Sequence, residues 1–317
     1  MSWPASAASG ANRGSALEEW AAELGRLLPG RLLVGEPMSA HTTLRVGGKA
    51  DLFLLPADLE ELKSAVRWCG ERGLPVKVLG NGSNLLVSDR GVRGAVIKLT
   101  PRFSEVEFNS EGVVAGAGVK LARLLARAAE AGWSGLESLV GVPGTLGGAL
   151  ATNAGTDIGS IGDLLLEAEV MDERGEITLR RAEDFGYRYR YSSLLGSRLM
   201  VLSARLRLER APVGEIAAKM ERLRVKRASR QPLRSRSAGS VFKNPAGIAA
   251  GKVLDRAGAK GRRVGGAEVS RKHANFILNR GKAKAAEVRE LMEQLRALAR
   301  RVYDLELEPE VELLGEW

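Results

Sequence analysis

Residues 141–155 read GVPGTLGGALATNAG, a run in which five of fifteen residues are glycine and Thr145, Ala149, Ala151, Thr152 and Ala154 are small. So small a segment lets backbone approach a ligand closely. Glycine also reaches positive φ freely, so successive N–H groups can converge on one point. Converging N–H groups bind anions, phosphate above all. A tight turn packed on a helix would also explain one such run. A second run at Gly80, Asn81, Gly82, Ser83 and Asn84 lies between two apolar stretches and favours the ligand. Two hydroxyl-bearing glycine loops about sixty residues apart suit a ligand with a pyrophosphate and a long body, such as a dinucleotide. Neither loop is GxGxxG or GxxxxGK[ST], so the two common nucleotide motifs are absent. The cofactor-binding candidates are Gly80 to Asn84 with Gly141, Pro143, Gly144, Thr145, Gly147, Gly148, Ala149, Asn153, Ala154 and Gly155.

Other segments carry reactive side chains. SAGSVFKNP, residues 237–245, sets Ser240 among the turn formers Gly239, Asn244 and Pro245, but between a cationic stretch and Lys243. A hydroxyl is a poor acid unless nearby positive charge stabilises its alkoxide, and this setting offers that charge. Arg190, within Tyr189–Ser192, has the fork geometry to clamp a carboxylate, although alone it reads as a surface arginine. Residues 305–313 alternate, with Glu306, Glu308, Glu310 and Glu312 on one face of an expected strand; periodicity does not choose among them. His273, in a Gly- and cation-rich loop that closes on Asn275, reads as a structural hydrogen-bonding residue. Two histidines and one cysteine at no metal-ligand spacing give no reason to expect a metal.

Elements that could position these groups follow from patterning. The chain has 317 residues, 44% hydrophobic and 27% charged, which suits a soluble protein of two domains. No apolar run is long enough for a membrane span. Residues 1–16 are small and polar and are expected to form a disordered leader without a secretory signal. A single cysteine, Cys69, reads as a small core residue of a helix and fits a reducing cytoplasm. Strands are expected at 50–55, 76–79 and 95–99 around a helix capped by Asp58 with Glu61 three places on. This is a first lobe, about 45–100. A second, about 101–211, holds strands at 106–108 and 113–115, a helix through Leu121, Leu124, Leu125 and Ala128, a hairpin at 166–179 and a strand at 199–208. Pro212 marks a boundary before a smaller domain with helices at 213–227, 249–257 and 283–303. The fold class is α+β.

Net charge is +10, and between Lys219 and Arg236 there are eight basic residues against one acid, Glu221. That excess reads either as a solvated helix face or as a site for nucleic acid or a phosphorylated metabolite. No aromatic residue occurs from Ser192 to Val241, which argues against single-strand stacking and for the metabolite.

Taken together the segments resemble the UDP-N-acetylenolpyruvoylglucosamine reductases, from about His41 to Gly315. HTTLRVGGKAD at 41–51 and VLGNGSNLLVSDRGVRG at 78–94 carry the likeness, with GVPGTLGGALATNAG, SAGSVFKNP, GGAEVSRKHANFILN and LEPEVELLG in the family's order. The resemblance implies a two-lobed FAD-binding domain of the vanillyl-alcohol-oxidase type over 17–211 and a substrate domain over 212–317. It implies non-covalent FAD, NADPH as cosubstrate, and reduction of UDP-N-acetylglucosamine enolpyruvate for peptidoglycan synthesis by a cytoplasmic monomer without nucleic-acid partners. Ser240 maps onto the family's general acid, and Arg190 and Glu310 onto the pair that stabilises the enolate-like intermediate. Lys243, Asn244, Lys252, His273 and Asn275 map onto the substrate side. Arg188 competes with Arg190, which is preferred because Ser192 follows it by two places. The short chain between Ser192 and Leu199 has no room for a tyrosine-bearing lid, as in the short-loop subclass, and Thr156, Asp157 and Ile158 depart from the pattern after NAG. Another flavoenzyme on the same fold, or a nucleic-acid-binding protein, is the alternative.

Overall fold

The computed structural model describes residues 13–317. The chain begins with helix α1 (Arg13–Leu27) and strand β1 (Leu32–Pro37), followed by β2 (Lys49–Leu54), α2 (Leu59–Glu71), β3 (Val76–Leu79), β4 (Leu85–Val87) and β5 (Val92–Lys98). β1 pairs antiparallel with β2; β2 and β3 flank β5 in parallel, giving the order β1-β2-β5-β3. Asp58 caps α2 as expected, its carboxylate accepting from the Glu61 N–H at 2.9 Å. The Glu61 carboxylate instead accepts from the Ala57 N–H and pairs with Arg31, tying α2 to the end of α1. Leu62, Ala65, Val66 and Cys69 repeat at helical spacing and are buried with Leu24, Leu28 and Ile97. Thus the first lobe starts well before Arg45. Residues 13–16, expected in the leader, belong to α1; the rest of that leader, residues 1–12, lies outside the described residues.

The second lobe is an antiparallel sheet, built from β6 (Val106–Asn109) and β7 (Gly112–Gly116) and covered by α3 (Leu121–Glu130). A two-residue strand β8 (Trp133–Ser134) leads to α4 (Leu146–Thr152), and β9 (Gly155–Thr156) pairs with β10 (Gly159–Ser160). Then come the hairpin β11 (Leu165–Met171) and β12 (Ile177–Arg181), the long β13 (Met200–Arg207), and β14 (Glu209–Arg210), which pairs with β8. Sheet order is β12-β11-β13-β7-β6. Helix α5 (Val213–Arg230) follows Pro212, but Met220 and Leu223 pack on the core of this lobe. The chain therefore leaves the second lobe after α5, not at Pro212, because the apolar side of α5 is used there.

The remaining unit packs α6 (Ala250–Arg256) and α7 (Ala285–Tyr303) over an antiparallel sheet of β15 (Arg263–Val264), β16 (Ala267–Val269) and β17 (Ile277–Asn279). The expected strand 305–313 shrinks to β18 (Glu312–Leu314). Residues before it run as loop, with one bridge between Phe242 and Pro309. β18 crosses back to pair in parallel with β4 of the first lobe. Asp89, beside β4, accepts from the N–H groups of Ala285 and Ala286, each at 2.9 Å, and so satisfies the first turn of α7 from another lobe.

An uncapped helix N-terminus loses about 0.5–2 kcal/mol. Asp89→Ala should lower the urea midpoint by that order with an unchanged slope, while Asp89→Asn, which keeps an acceptor, should lose less. Equal midpoints for Asp89→Ala and the parent would show that this inter-lobe cap contributes nothing.

Candidate active site

The three units enclose a cavity of about 1030 Å³. Both glycine loops line it: Gly80 through Asn84 on one side, and Gly141, Pro143, Gly144, Thr145, Gly148, Ala149, Ala154 and Gly155 on the other. Ser240, Arg190 and Glu310 line the same cavity. Arg190 and Glu310, 120 positions apart in sequence, thereby line one cavity with Ser240, which only a fold that returns on itself allows.

The loops are stitched together by their own hydroxyls. Ser83 donates to the Pro143 carbonyl at 3.0 Å, and Thr145 accepts from the Gly148 N–H as the cap of α4. Gly82 sits at φ +59 with its α-carbon against the carbonyl of His41, a place no side chain fits. A Cβ on Gly80 would meet the Thr145 hydroxyl at 2.5 Å, so the two loops touch there. One on Gly147 would meet the Ala117 methyl at 2.9 Å; this glycine seats α4 on the sheet and lines a smaller cavity beside the large one, not the large cavity's own wall. Gly148 differs: its nearest neighbour, the Thr145 hydroxyl, is at an ordinary 3.5 Å, and the residue faces open space. A backbone bare of side chains at Gly148 fits a pyrophosphate. Asn153, in the left-handed conformation at the end of α4, is used by the fold instead: it donates to the Arg188 carbonyl and accepts from the Gly162 N–H.

Arg190 also adopts a left-handed conformation, φ +53. Its loop is fixed by Ser192, fully buried, which donates to the Ala151 carbonyl of α4 at 2.6 Å. The guanidinium donates through Nε to Glu310 Oε1 at 2.5 Å and through a terminal nitrogen to the Gly155 carbonyl at 2.9 Å. Arg188 points elsewhere, over the Tyr191 ring, and is exposed.

Glu310 is placed by backbone. Its N–H donates to the Val241 carbonyl at 2.8 Å, so the residue after Ser240 holds it directly. The Asn84 side chain donates to the Glu310 carbonyl at 3.0 Å, and Asn84's own carbonyl accepts from the Glu312 N–H. Burial raises the Glu310 carboxyl above its ordinary range, against the opposing pull of Arg190 and Lys243. The other three glutamates are separated from it by their partners: Glu306 pairs with Arg296 and Arg300, Glu308 with Lys243 and Glu312 with Lys77.

None of the residues assigned to the substrate side lines the cavity. Asn275 is buried and hydrogen-bonds the Phe242 N–H and C=O with its two amide ends, which clamps the segment that carries Ser240. Asn244 accepts from the Ala250 N–H at the start of α6. His273 lies on Gly251 and meets the edge of Phe276, and burial lowers its pKa, with Lys260 adding to the effect. Lys243 is held by Glu308 at 2.6 Å, and Lys252 lies exposed on α6.

Arg227 was missed. It lies at the cavity wall near the end of α5, donates to the Val140 carbonyl at 3.1 Å and rests its side chain against Gly141. Burial and the nearby Arg190 lower its pKa. Eight basic residues crowd this segment, and charge alone does not single it out. Arg224 and Lys226 are neutralised by Glu221 and Asp157, whereas Arg227, Arg234 and Arg236 face the cavity.

A family model described as "UDP-N-acetylenolpyruvoylglucosamine reductase, C-terminal domain" matches residues 231–314, and one described as "FAD binding domain" matches residues 50–179. The first begins directly after α5, where the packing changes. A reductase of that name from Moorella thermoacetica is 45% identical, over 93% of this chain and 97% of its own length. Another, from Carboxydothermus hydrogenoformans, is 43% identical with the same coverage. The crystal structure of UDP-N-acetylenolpyruvylglucosamine reductase from Thermus caldophilus superposes with a TM-score of 0.78 at 39% identity, over 90% of this chain and 98% of that one. The chain belongs to the family of UDP-N-acetylenolpyruvoylglucosamine reductases.

Proposed function

We infer that the chain reduces the enolpyruvyl ether of UDP-N-acetylglucosamine to the lactyl ether of UDP-N-acetylmuramate, with NADPH as reductant and non-covalent FAD, in peptidoglycan precursor synthesis. The observation that supports it most is the meeting of Arg190, Glu310 and Ser240 at one cavity whose walls are two glycine loops. Residues from the first β-strands to α5 form the cofactor-binding part and those after it the substrate part. A lone buried cysteine accords with a cytoplasmic enzyme, which we take as a monomer.

Bound FAD supplies hydride carriage from NADPH to the methylene carbon of the substrate. Hydride addition there drives negative charge onto the neighbouring carbon and its carboxylate. Arg190, fixed by Glu310 and the Gly155 carbonyl, provides a preorganised cation for that charge. Glu310 contributes as the protonated acid, which its raised pKa favours, because only that form donates a hydrogen bond to an enolate oxygen. Ser240 gives its hydroxyl proton to the carbon next to the one that received hydride, and the product is the saturated ether. Ser83, Thr145 and the bare backbone at Gly148 hold the cofactor's pyrophosphate. Arg227, Arg234 and Arg236 attract the anionic nucleotides.

Purified protein should be yellow, release intact FAD on denaturation, and oxidise NADPH only when the enolpyruvyl nucleotide is present. A colourless protein without that turnover would overturn the reading.

Gly148→Val should weaken FAD retention in a folded protein, because the side chain enters the open space over the backbone. Gly147→Val should instead lower thermal stability, since its side chain collides with Ala117. The opposite pattern would relocate the pyrophosphate.

Glu310→Gln should slow substrate reduction ~10²-fold or more, the scale of losing a preorganised transition-state contact, and Glu308→Gln should change little. With the Glu310 pKa raised, the proton is held at low pH and lost as pH rises through the raised value. The reduction step should therefore slow with rising pH in the parent, and this limb should be flat in Glu310→Gln. A matching limb in both proteins would assign the titration to another group.

A further inference from the structure

A second cavity, about 570 Å³, opens beside the first and shares Gly80, Thr145 and Gly148 with it. Lys98, at the end of β5, reaches it from the first lobe, and Lys120 and Arg123, at the start of α3, reach it from the second. Lys98 is half-buried. Its ammonium lies 3.4 Å from His41 Nδ1, and the other ring nitrogen of His41 is taken by Glu36 at 2.8 Å. Among the described residues, carboxylate charge therefore reaches Lys98 only through an imidazole ring. Lys120 is near enough to repel it; burial and that repulsion lower the Lys98 pKa. Two cations from different lobes facing one cavity are a standing cost, which an anion placed between them would remove.

The walls around them narrow the choice of anion. Gly80 and Gly148 expose backbone to both cavities. Ser240, Arg190 and Glu310 do not line the smaller one. A substrate or cosubstrate must reach those three residues, so it has no need of this pocket. A ligand that lies over Gly148 and extends between the lobes does.

We propose that Lys98 and Lys120 bind the diphosphate of FAD from the smaller cavity, with Arg123 at its mouth, and so act as cofactor-retention residues alongside the glycine loops. The proposal rests on the FAD reading above. Each lysine makes a charge-assisted contact with a phosphate oxygen, and the lobes are drawn together across the bound group.

Release of FAD from the holoprotein, followed by flavin fluorescence after dilution at low and high salt, tests this. Lys98→Ala and Lys120→Ala should each release FAD more readily by on the order of tenfold or more, the scale of a hydrogen bond to a charged group. Their release should also depend less on salt than the parent's. Lys98→Arg, which keeps the charge, should stay near the parent. Release within twofold of the parent in both alanine variants, with the parent's salt dependence, would overturn the proposal. So would unchanged release with a raised KM for NADPH, which would give the pocket to the cosubstrate's phosphate. A parent protein that carries no flavin would instead sink the function itself.

Discussion

The Arg190–Glu310 pair, 2.5 Å apart, spans the cleft between the second lobe and the C-terminal segment. Its two halves have little in common except this meeting. Arg190 is delivered by a left-handed backbone turn anchored through Ser192 to α4; Glu310 is delivered by a loop sewn to Val241 and Asn84. Each anchor would be costly to an isolated unit. Together they set a cation and a carboxyl at the cavity wall, which in the proposed mechanism meet the charge that develops on a carboxylate substrate. Burial keeps the pair dry enough to matter, and it is the same burial that raises the carboxyl's proton affinity.

The rest of the fold serves that meeting. The chain's end returns to the first lobe through β18 on β4, and Asp89 closes the start of α7 from the same lobe. Thr43 donates to the Ser237 carbonyl at 2.7 Å, linking the turn after β1 to the segment that carries Ser240. The first lobe and the C-terminal unit are thus tied by backbone and side chain near Ser240 and Glu310. Asn84 belongs to a glycine loop yet spends its amide on the Glu310 backbone carbonyl, so that loop and the Glu310 backbone are held together.

Most elements were legible in the sequence because their periods are plain: the apolar stripe of α2, the alternation of β13, the hairpin of β11 and β12. The end of the second lobe was not, because Pro212 stops a strand without ending a domain and the pattern of α5 does not say which neighbour buries it. The strand expected over 305–313 is mostly loop; alternation of glutamate and apolar residues there reflects four glutamates with separate cation partners rather than a sheet edge. Convergence of Ser240, Arg190 and Glu310 was readable only through the family likeness, since nothing local relates residues so far apart. Asn275, Asn244 and Asn153, expected at ligand contacts, spend amide groups on buried or turn backbone, a use that sequence alone does not reveal. Arg227 was hidden by its own neighbours' charge.

In the proposed mechanism this constellation acts on the substrate and not on hydride entry from NADPH. Stopped-flow absorbance of the flavin separates the two halves. In Ser240→Ala, bleaching by NADPH should proceed at close to the parent's rate, while recolouring by the enolpyruvyl nucleotide should slow ~10²–10⁴-fold, the range for loss of a general acid. Equal slowing of both halves, or of neither, would contradict the account.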